Sequence, residues 1–282
     1  MAVTARIARL RAAAWLGWKV DSNWTDPLLF AIYAVARPLA NGLIIVAMYW
    51  AVRGRNTHAA LFAGFFVANA FHTFVNTVLV DMGWIVFGER EEYETLKFLV
   101  ASPVGMRTYL TGRSVVKFAR ATLSAGLLFA LGWFVLGVRW NWAAARWGPL
   151  LLSVALGLAA TLCAGLLVAG LCLVLTRAAI TVLDGVALGL YLLCGVIFPV
   201  DLLPRVLQWV SLVLPFTWWY EAIRRFLLGH GASAWFGRLS DTQLLAGLAV
   251  TTAVTCAGSL LGYTALERAA RRLGRLDQTT LF

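Results

Sequence analysis

The chain has 282 residues, 61% of them hydrophobic and 13% charged, where ordinary soluble domains carry about 25% charged residues. A soluble core can hide part of that excess, but not several separate runs that approach the length of a bilayer crossing. The formal net charge of +11 is spread among these runs instead of gathered in one basic face, which argues against nucleic acid as a partner.

Residues 1–26 open the chain with Arg6, Arg9, Arg11 and Lys19, so no unbroken apolar core of a signal peptide is present. Ile7, Leu10, Ala14 and Leu16 among those bases suit an amphipathic helix lying at a membrane interface; the same bases could cap a soluble helix. Asp26-Pro27 follows as a helix-start signal. Charge-free runs then cover 38–52, 59–80, 121–138, 148–176, 185–200 and 242–266. Inside lipid every backbone group must be paired within the chain, so such runs are helices or barrel strands. The stretch 151–174 is apolar on all sides and does not alternate as a barrel strand would. The pattern therefore predicts an all-α integral membrane protein with transmembrane helices over 35–52, 59–82, 116–138, 148–174, 180–199 and 243–266.

Between the second and third spans the chain crowds its charge into Gly88-Glu89-Arg90-Glu91-Glu92-Tyr93-Glu94-Thr95-Leu96-Lys97-Phe98-Leu99. A helix over 86–102 is expected there. Three-residue spacing would place Tyr93, Leu96 and Leu99 near one side of it as an apolar docking face, with Glu91, Glu92 and Glu94 facing basic or amide groups of a partner. The fourth span is rich in small residues, among them Gly157, Ala160, Gly165 and Gly170, which let membrane helices approach closely. Arg177 and Asp184 bracket a turn before the fifth span.

Residues 200–229 are too broken for a crossing and too apolar to stand free in water. Asp201, Pro204, Arg205, Pro215, Glu221, Arg224 and Arg225 interrupt them, while 206–214 and Trp218-Trp219-Tyr220 are apolar. Two short helices dipping in from the outer surface, with the break at Pro215, satisfy both facts; a hairpin resting on lipid is the alternative. Glu221 and Arg224, three apart, are placed to pair. With both termini inside, the inner loops and termini hold more Lys and Arg than the outer ones, as the positive-inside rule requires. The basic character thus reads as topology and contact with anionic lipids.

Catalytic motifs are missing from the sequence. It contains no P-loop, no His-Glu-x-x-His and no Gly-x-Ser-x-Gly. Cys163, Cys172, Cys194 and Cys256 are scattered in apolar segments without metal-ligand spacing. His72 lies within a span, where it serves either as a functional ionisable group or as a helix–helix hydrogen-bonding group. A permeation-sized membrane domain without an engine implies that energy arrives from a partner.

The segment Glu89-Arg90-Glu91-Glu92-Tyr93-Glu94-Thr95-Leu96, followed by Ser102-Pro103-Val104, resembles the coupling region of the membrane subunits of type-2 ABC exporters. Those families typically carry a Glu-rich stretch, then Gly-Thr-Leu-Glu, then Ser-Pro; here Glu94 stands where Gly is usual and Lys97 where Glu is usual. Pro215-Phe216-Thr217-Trp218-Trp219-Tyr220-Glu221-Ala222-Ile223-Arg224 resembles the element before the last span of that family. The layout of surface helix and six spans is similar too.

The resemblance implies a multi-pass cell-membrane permease with cytoplasmic termini. It would export an amphipathic or lipid-linked cargo as a homodimer, with two copies of a separate ATPase that binds the ATP and Mg; this chain itself would bind no cofactor. Glu89, Glu91, Glu92, Tyr93, Glu94, Leu96, Leu99, Ser102 and Pro103 would couple to the ATPase. Pro215, Trp218, Trp219, Glu221 and Arg224 would form an external gate. An ion-coupled transporter or channel, and a membrane scaffold that binds an ATPase without transport, are the competing readings.

Overall fold

The computed structural model describes residues 2–22, 40, 42–44, 46, 47, 59–138 and 142–276, and among them every regular element is helical. Helix α1 (Ala2–Asp21) lies against the start of a much longer helix further along the chain. The expected first span, 35–52, falls mostly outside the described residues; those described within it are helical. Next comes one continuous rod. It is built from α2 (Ala59–Phe74), a π-helical segment (Val75–Val80) and α3 (Asp81–Glu91). The rod is followed by the short α4 (Leu96–Ala101) and then α5 (Met106–Phe134), α6 (Trp147–Val174) and α7 (Ala179–Leu193). A 3-10 turn (Val200–Leu202), α8 (Arg205–Val213), α9 (Pro215–Leu228), the short α10 (Ala234–Gly237) and α11 (Asp241–Arg272) complete the described chain.

Among the described residues, four helical stretches are long and apolar enough to cross a membrane: Phe62–Glu91, Met106–Phe134, Trp147–Val174 and Asp241–Arg272. The expected fifth span, 180–199, is a 15-residue apolar helix only about 22 Å long at 1.5 Å per residue. Asp184 sits within it, exposed, and does not bracket the preceding turn. Two other boundaries move. The second span was expected to end at 82, but its rod continues to Glu91 and takes in the first three charged residues of the insert. The third was expected from 116, and α5 begins at Met106. Arg113 and Lys117 are carried inside that helix because carboxylates from two other elements meet them, which a count of charges along the chain does not reveal.

The core forms around α6. It packs most extensively with α11, and also with α9, α3 and the π-helical segment. The small residues of α6 face large side chains. A Cβ on Gly157 would lie 2.0 Å from the Trp219 ring, and one on Gly165 would lie 2.6 Å from Met82 Sδ, so the rings and thioether occupy the notches that glycine leaves. Ala13 and Gly17 of α1 make the same kind of close contact with Gly112 and Arg113 of α5. That packing leaves Ile7, Trp15 and Trp18 exposed on the opposite side of α1. Ser240 caps α11 through a reciprocal capping box with Gln243.

Candidate functional site

The charged insert is two structures joined by a turn. Glu89, Arg90 and Glu91 form the buried last turn of α3. Glu92, Tyr93 and Glu94 are exposed, and α4 begins at Leu96. The single helix expected over 86–102 is therefore interrupted, and Glu94 takes a left-handed backbone with φ 52°. That conformation is unfavourable for a residue with a Cβ; it is the position at which the family resemblance has glycine. Since the helix breaks between Tyr93 and Leu96, their three-residue spacing does not place them together. Leu96 and Val100 are buried in the chain, whereas Tyr93 is 53% and Phe98 66% exposed. Leu99 and Ser102 are half-buried and Pro103 is exposed. The outward apolar residues are thus Tyr93 and Phe98, with the Lys97 ammonium 5.5 Å from the Phe98 ring centroid.

An ionic cluster holds the insert from within. Glu89 Oε1 accepts from Arg113 Nη1 at 2.9 Å and from the Tyr109 hydroxyl, while its Oε2 accepts from Thr95 Oγ1. The backbone N–H of Thr95 also donates to the Glu89 carbonyl at 2.9 Å, so one residue fixes both ends of the exposed turn. Arg113 reaches on to Asp21 at 2.9 Å, Lys117 joins Asp21 at 2.7 Å and Asp81 at 3.4 Å, and Arg120 pairs with Asp81 at 2.6 Å. Three carboxylates from α1 and α3 thereby meet three cations of α5. Burial works to raise the pKa of Asp21, but Lys117 and Arg113 outweigh it and hold the carboxyl below the usual carboxylate range. Arg113, Lys117 and Arg120, at positions i, i+4 and i+7 of α5, share one helical face; that spacing is the signal in the sequence from which this cluster could have been read.

A second set of bonds ties the insert to the end of α6. Arg90 donates to the carbonyls of Cys172 at 2.9 Å and Leu173 at 2.8 Å, and Arg275 donates to that of Val174. Those carbonyls lie in the last turn of α6, where intrahelical partners run out. Arg271 donates to the Val100 carbonyl of α4 at 3.3 Å. The insert is therefore joined to α1, α5, α6 and α11, while its Tyr93–Phe98 side is open.

The other predicted site, α9, is sealed inside the bundle: 11 of its 14 residues are buried. Pro215 occupies the first helical turn. Trp219 fills the notch at Gly157, and Trp218 Nε1 donates to the Leu212 carbonyl at 2.8 Å. Glu221 and Arg224 pair at 2.8 Å, as their spacing suggested, with only 3% and 1% of their side chains exposed. Arg224 also donates to the carbonyls of Gly64, at 3.0 Å, and Gly195, and Glu221 accepts from the Ala232 N–H at 3.1 Å. His72 Nδ1 lies 2.8 Å from the Tyr220 hydroxyl, a helix–helix hydrogen bond. These contacts bind α9 to α2 and to the Gly195 turn.

The family model for the ABC-2 type transporter matches residues 9–228. The chain belongs to the ABC-2 type transporter family. The match spans α1 to the end of α9 and so includes the insert, its ionic cluster and the buried Glu221–Arg224 pair. No curated protein matches the chain. As an ABC-2 type chain this is a membrane protein and the permease component of an ABC-type transport system.

Proposed function

We propose that this ABC-2 permease is the membrane subunit of an exporter. It moves an amphipathic or lipid-linked cargo outward through the cell membrane, driven by ATP that a separate ATPase binds with Mg and hydrolyses. Two ATPase copies dock beneath a dimer of membrane subunits, and both termini of each subunit are cytoplasmic. In this reading the chain crosses the membrane six times, with 35–52 and α7 completing the set, and α8 and α9 form a re-entrant pair entering from the outer side.

One observation carries the reading: the insert is anchored inwardly to four helices while Glu92, Tyr93, Glu94, Lys97 and Phe98 remain exposed. A projecting aromatic pair rimmed by charge suits a protein partner, because aromatic anchors carry a large share of interface energy. A push on such an element reaches α1 and α5 through Glu89 and Arg113, and α6 through Arg90. The test is Phe98→Asp. Exposed as it is, this change leaves folding stability within about 0.5 kcal/mol while weakening ATPase capture by about 2 kcal/mol, or roughly thirtyfold. Leu96→Asp should act by the other route, lowering the stability of the permease itself. Undiminished co-purification of the ATPase with Phe98→Asp would remove the insert as the docking element.

A further inference from the structure

Between the 3-10 turn Val200–Leu202, α8 and the short α10 lies a cavity of about 340 Å³ that carries two charges of opposite sign, Asp201 and Arg205. Its frame is fixed by the protein itself. Gln208 of α8 donates its amide N–H groups to the carbonyls of Asp201 at 3.1 Å and Leu203 at 2.8 Å, which locks the turn to the helix. The Asp201 carboxylate reaches across to α10. It accepts from Ser233 Oγ at 3.0 Å and from the N–H groups of Ala234 at 2.6 Å and Trp235 at 3.4 Å. Those donors are neutral, so they orient the carboxylate and leave its formal charge unmatched. Arg205 does not close onto it. Among the described residues the Arg205 guanidinium has neither a hydrogen bond nor an ion pair, and Asp201 has no cationic partner.

Two indoles line the same cavity. Trp235 is held edge-on by Trp218, with ring centroids 5.7 Å apart, and by Phe236 at 4.8 Å. Trp209, on α8, is 72% exposed. The cavity also has a defined place along the bundle. Asp241, at the start of α11 just after α10, pairs with Arg146 at the start of α6, whereas Arg90 holds the insert at the other end of that helix. The 28 residues of α6 separate the two by about 42 Å. The cavity therefore sits at an end of the membrane-crossing helices, the level at which headgroups lie. From its rim an exposed apolar row, Val206, Trp209, Val210 and Val213, continues along α8 at helical spacing.

We infer that this cavity binds the headgroup of a zwitterionic phospholipid, one that carries both a phosphate and an ammonium. A lone anion would meet Asp201 and a lone cation would meet Arg205, whereas a headgroup with both charges satisfies both. Phosphate oxygens accept from the guanidinium fork. The ammonium faces the Asp201 carboxylate and lies against the indole faces. The volume is near the lower end of small-molecule sites, about 300–1,000 Å³, which suits a headgroup and leaves the acyl chains to the apolar row outside. This site goes beyond the exporter reading and stands apart from it, because it requires only that the chain is a membrane protein.

The experiment uses the purified full-length permease in an alkyl maltoside. Short-chain phosphatidylethanolamine, phosphatidylglycerol and a dialkyl trimethylammonium are titrated in, and bound lipid per chain is counted by native mass spectrometry. The ethanolamine lipid should bind once per chain, about tenfold tighter than either singly charged lipid, since a hydrogen bond to a charged group is worth about that factor. Asp201→Asn keeps an acceptor for α10 and should bring the ethanolamine lipid to the level of phosphatidylglycerol. Arg205→Gln should bring it to the level of the trimethylammonium lipid. Thermal unfolding without lipid separates loss of the site from loss of the fold, and Arg205→Gln, at an exposed position, should unfold as the wild type does. An ethanolamine lipid that binds no better than the singly charged ones, or that binds Arg205→Gln as tightly as the wild type, would overturn the inference. Free O-phosphoethanolamine should bind at least about tenfold more weakly than the lipid, having no chains for the apolar row; equal binding would overturn the membrane as the ligand's source.

Discussion

The insert and α9 are both short, charged and aromatic, yet one presents its aromatics to the outside and the other hides them. In α9 the two buried charges are matched locally, Glu221 with Arg224 one turn on, and the remaining Arg224 donors find carbonyls of α2 and the Gly195 turn, while the half-buried Arg225 reaches Asp241 and the Phe236 and Leu239 carbonyls. That self-sufficiency lets 11 of 14 residues be buried. The insert's buried Glu89 is matched at long range, by Arg113 across 24 positions, and Arg113 reaches on to Asp21 across 92, while the turn of the insert is left outside. A helix whose buried charges cancel within one turn can serve as core, whereas an element whose buried charge is held by other helices can serve as a linkage between them.

The largest effect is expected in α9. Arg224→Ala leaves Glu221 buried without its partner and frees two carbonyls, at a cost of about 3–5 kcal/mol. Thermal unfolding of the detergent-solubilised permease measures it. The paired change Glu221→Gln with Arg224→Met should recover most of that loss, since removing both charges costs far less than stranding one. Should Arg224→Ala unfold at the wild-type temperature, the view of α9 as core is wrong.

Under the insert, Arg113→Met removes the one ionic partner of buried Glu89 and one of the two that Asp21 has, and should cost about 3 kcal/mol. Here the distinguishing readout is local: amide exchange at Thr95 should accelerate more than exchange in α9. An equal change in both regions would mean that the cluster is ordinary core and not a linkage. A smaller effect of opposite sign is expected from Glu94→Gly, which relieves the left-handed strain and should stabilise the chain by about 1 kcal/mol. The midpoint of thermal unfolding should rise, and a fall would show that the Glu94 side chain supplies something its exposed position does not suggest.

The mildest prediction concerns pH. The Asp21 carboxyl is held below its ordinary value of 3.8, so its ion pairs contribute fully above that value. As pH falls towards the lower folded value the unfolded chain takes up its proton first, and the contribution is lost. Stability of the wild type should therefore drop more steeply than that of Asp21→Asn as the medium is acidified below 3.8. Parallel curves would show that Asp21 is not held by Lys117 and Arg113.

Much of this was legible along the chain. Helical membrane architecture followed from the uninterrupted apolar runs, the close packing of α6 from its small residues, and the break at Pro215 and the Glu221–Arg224 pair from their spacing. The sequence sets Arg113 just before the third span and Lys117 and Arg120 near its inner end, where a cation without a partner is costly. That cost disappears once Asp21, Asp81 and Glu89 arrive from elsewhere, and their arrival is a property of packing. Leu96 belongs to an outward face only if the helix over 86–102 is continuous. The left-handed Glu94 breaks that continuity.

The sequence by itself determined that the chain is helical and membrane-embedded, because the need to pair every backbone group in lipid is enforced locally, residue by residue. Only the tertiary structure decided which charges meet and which aromatics are left outside. Ion pairing and burial depend on distances between segments far apart in the chain, and periodicity within one segment contains no record of those distances.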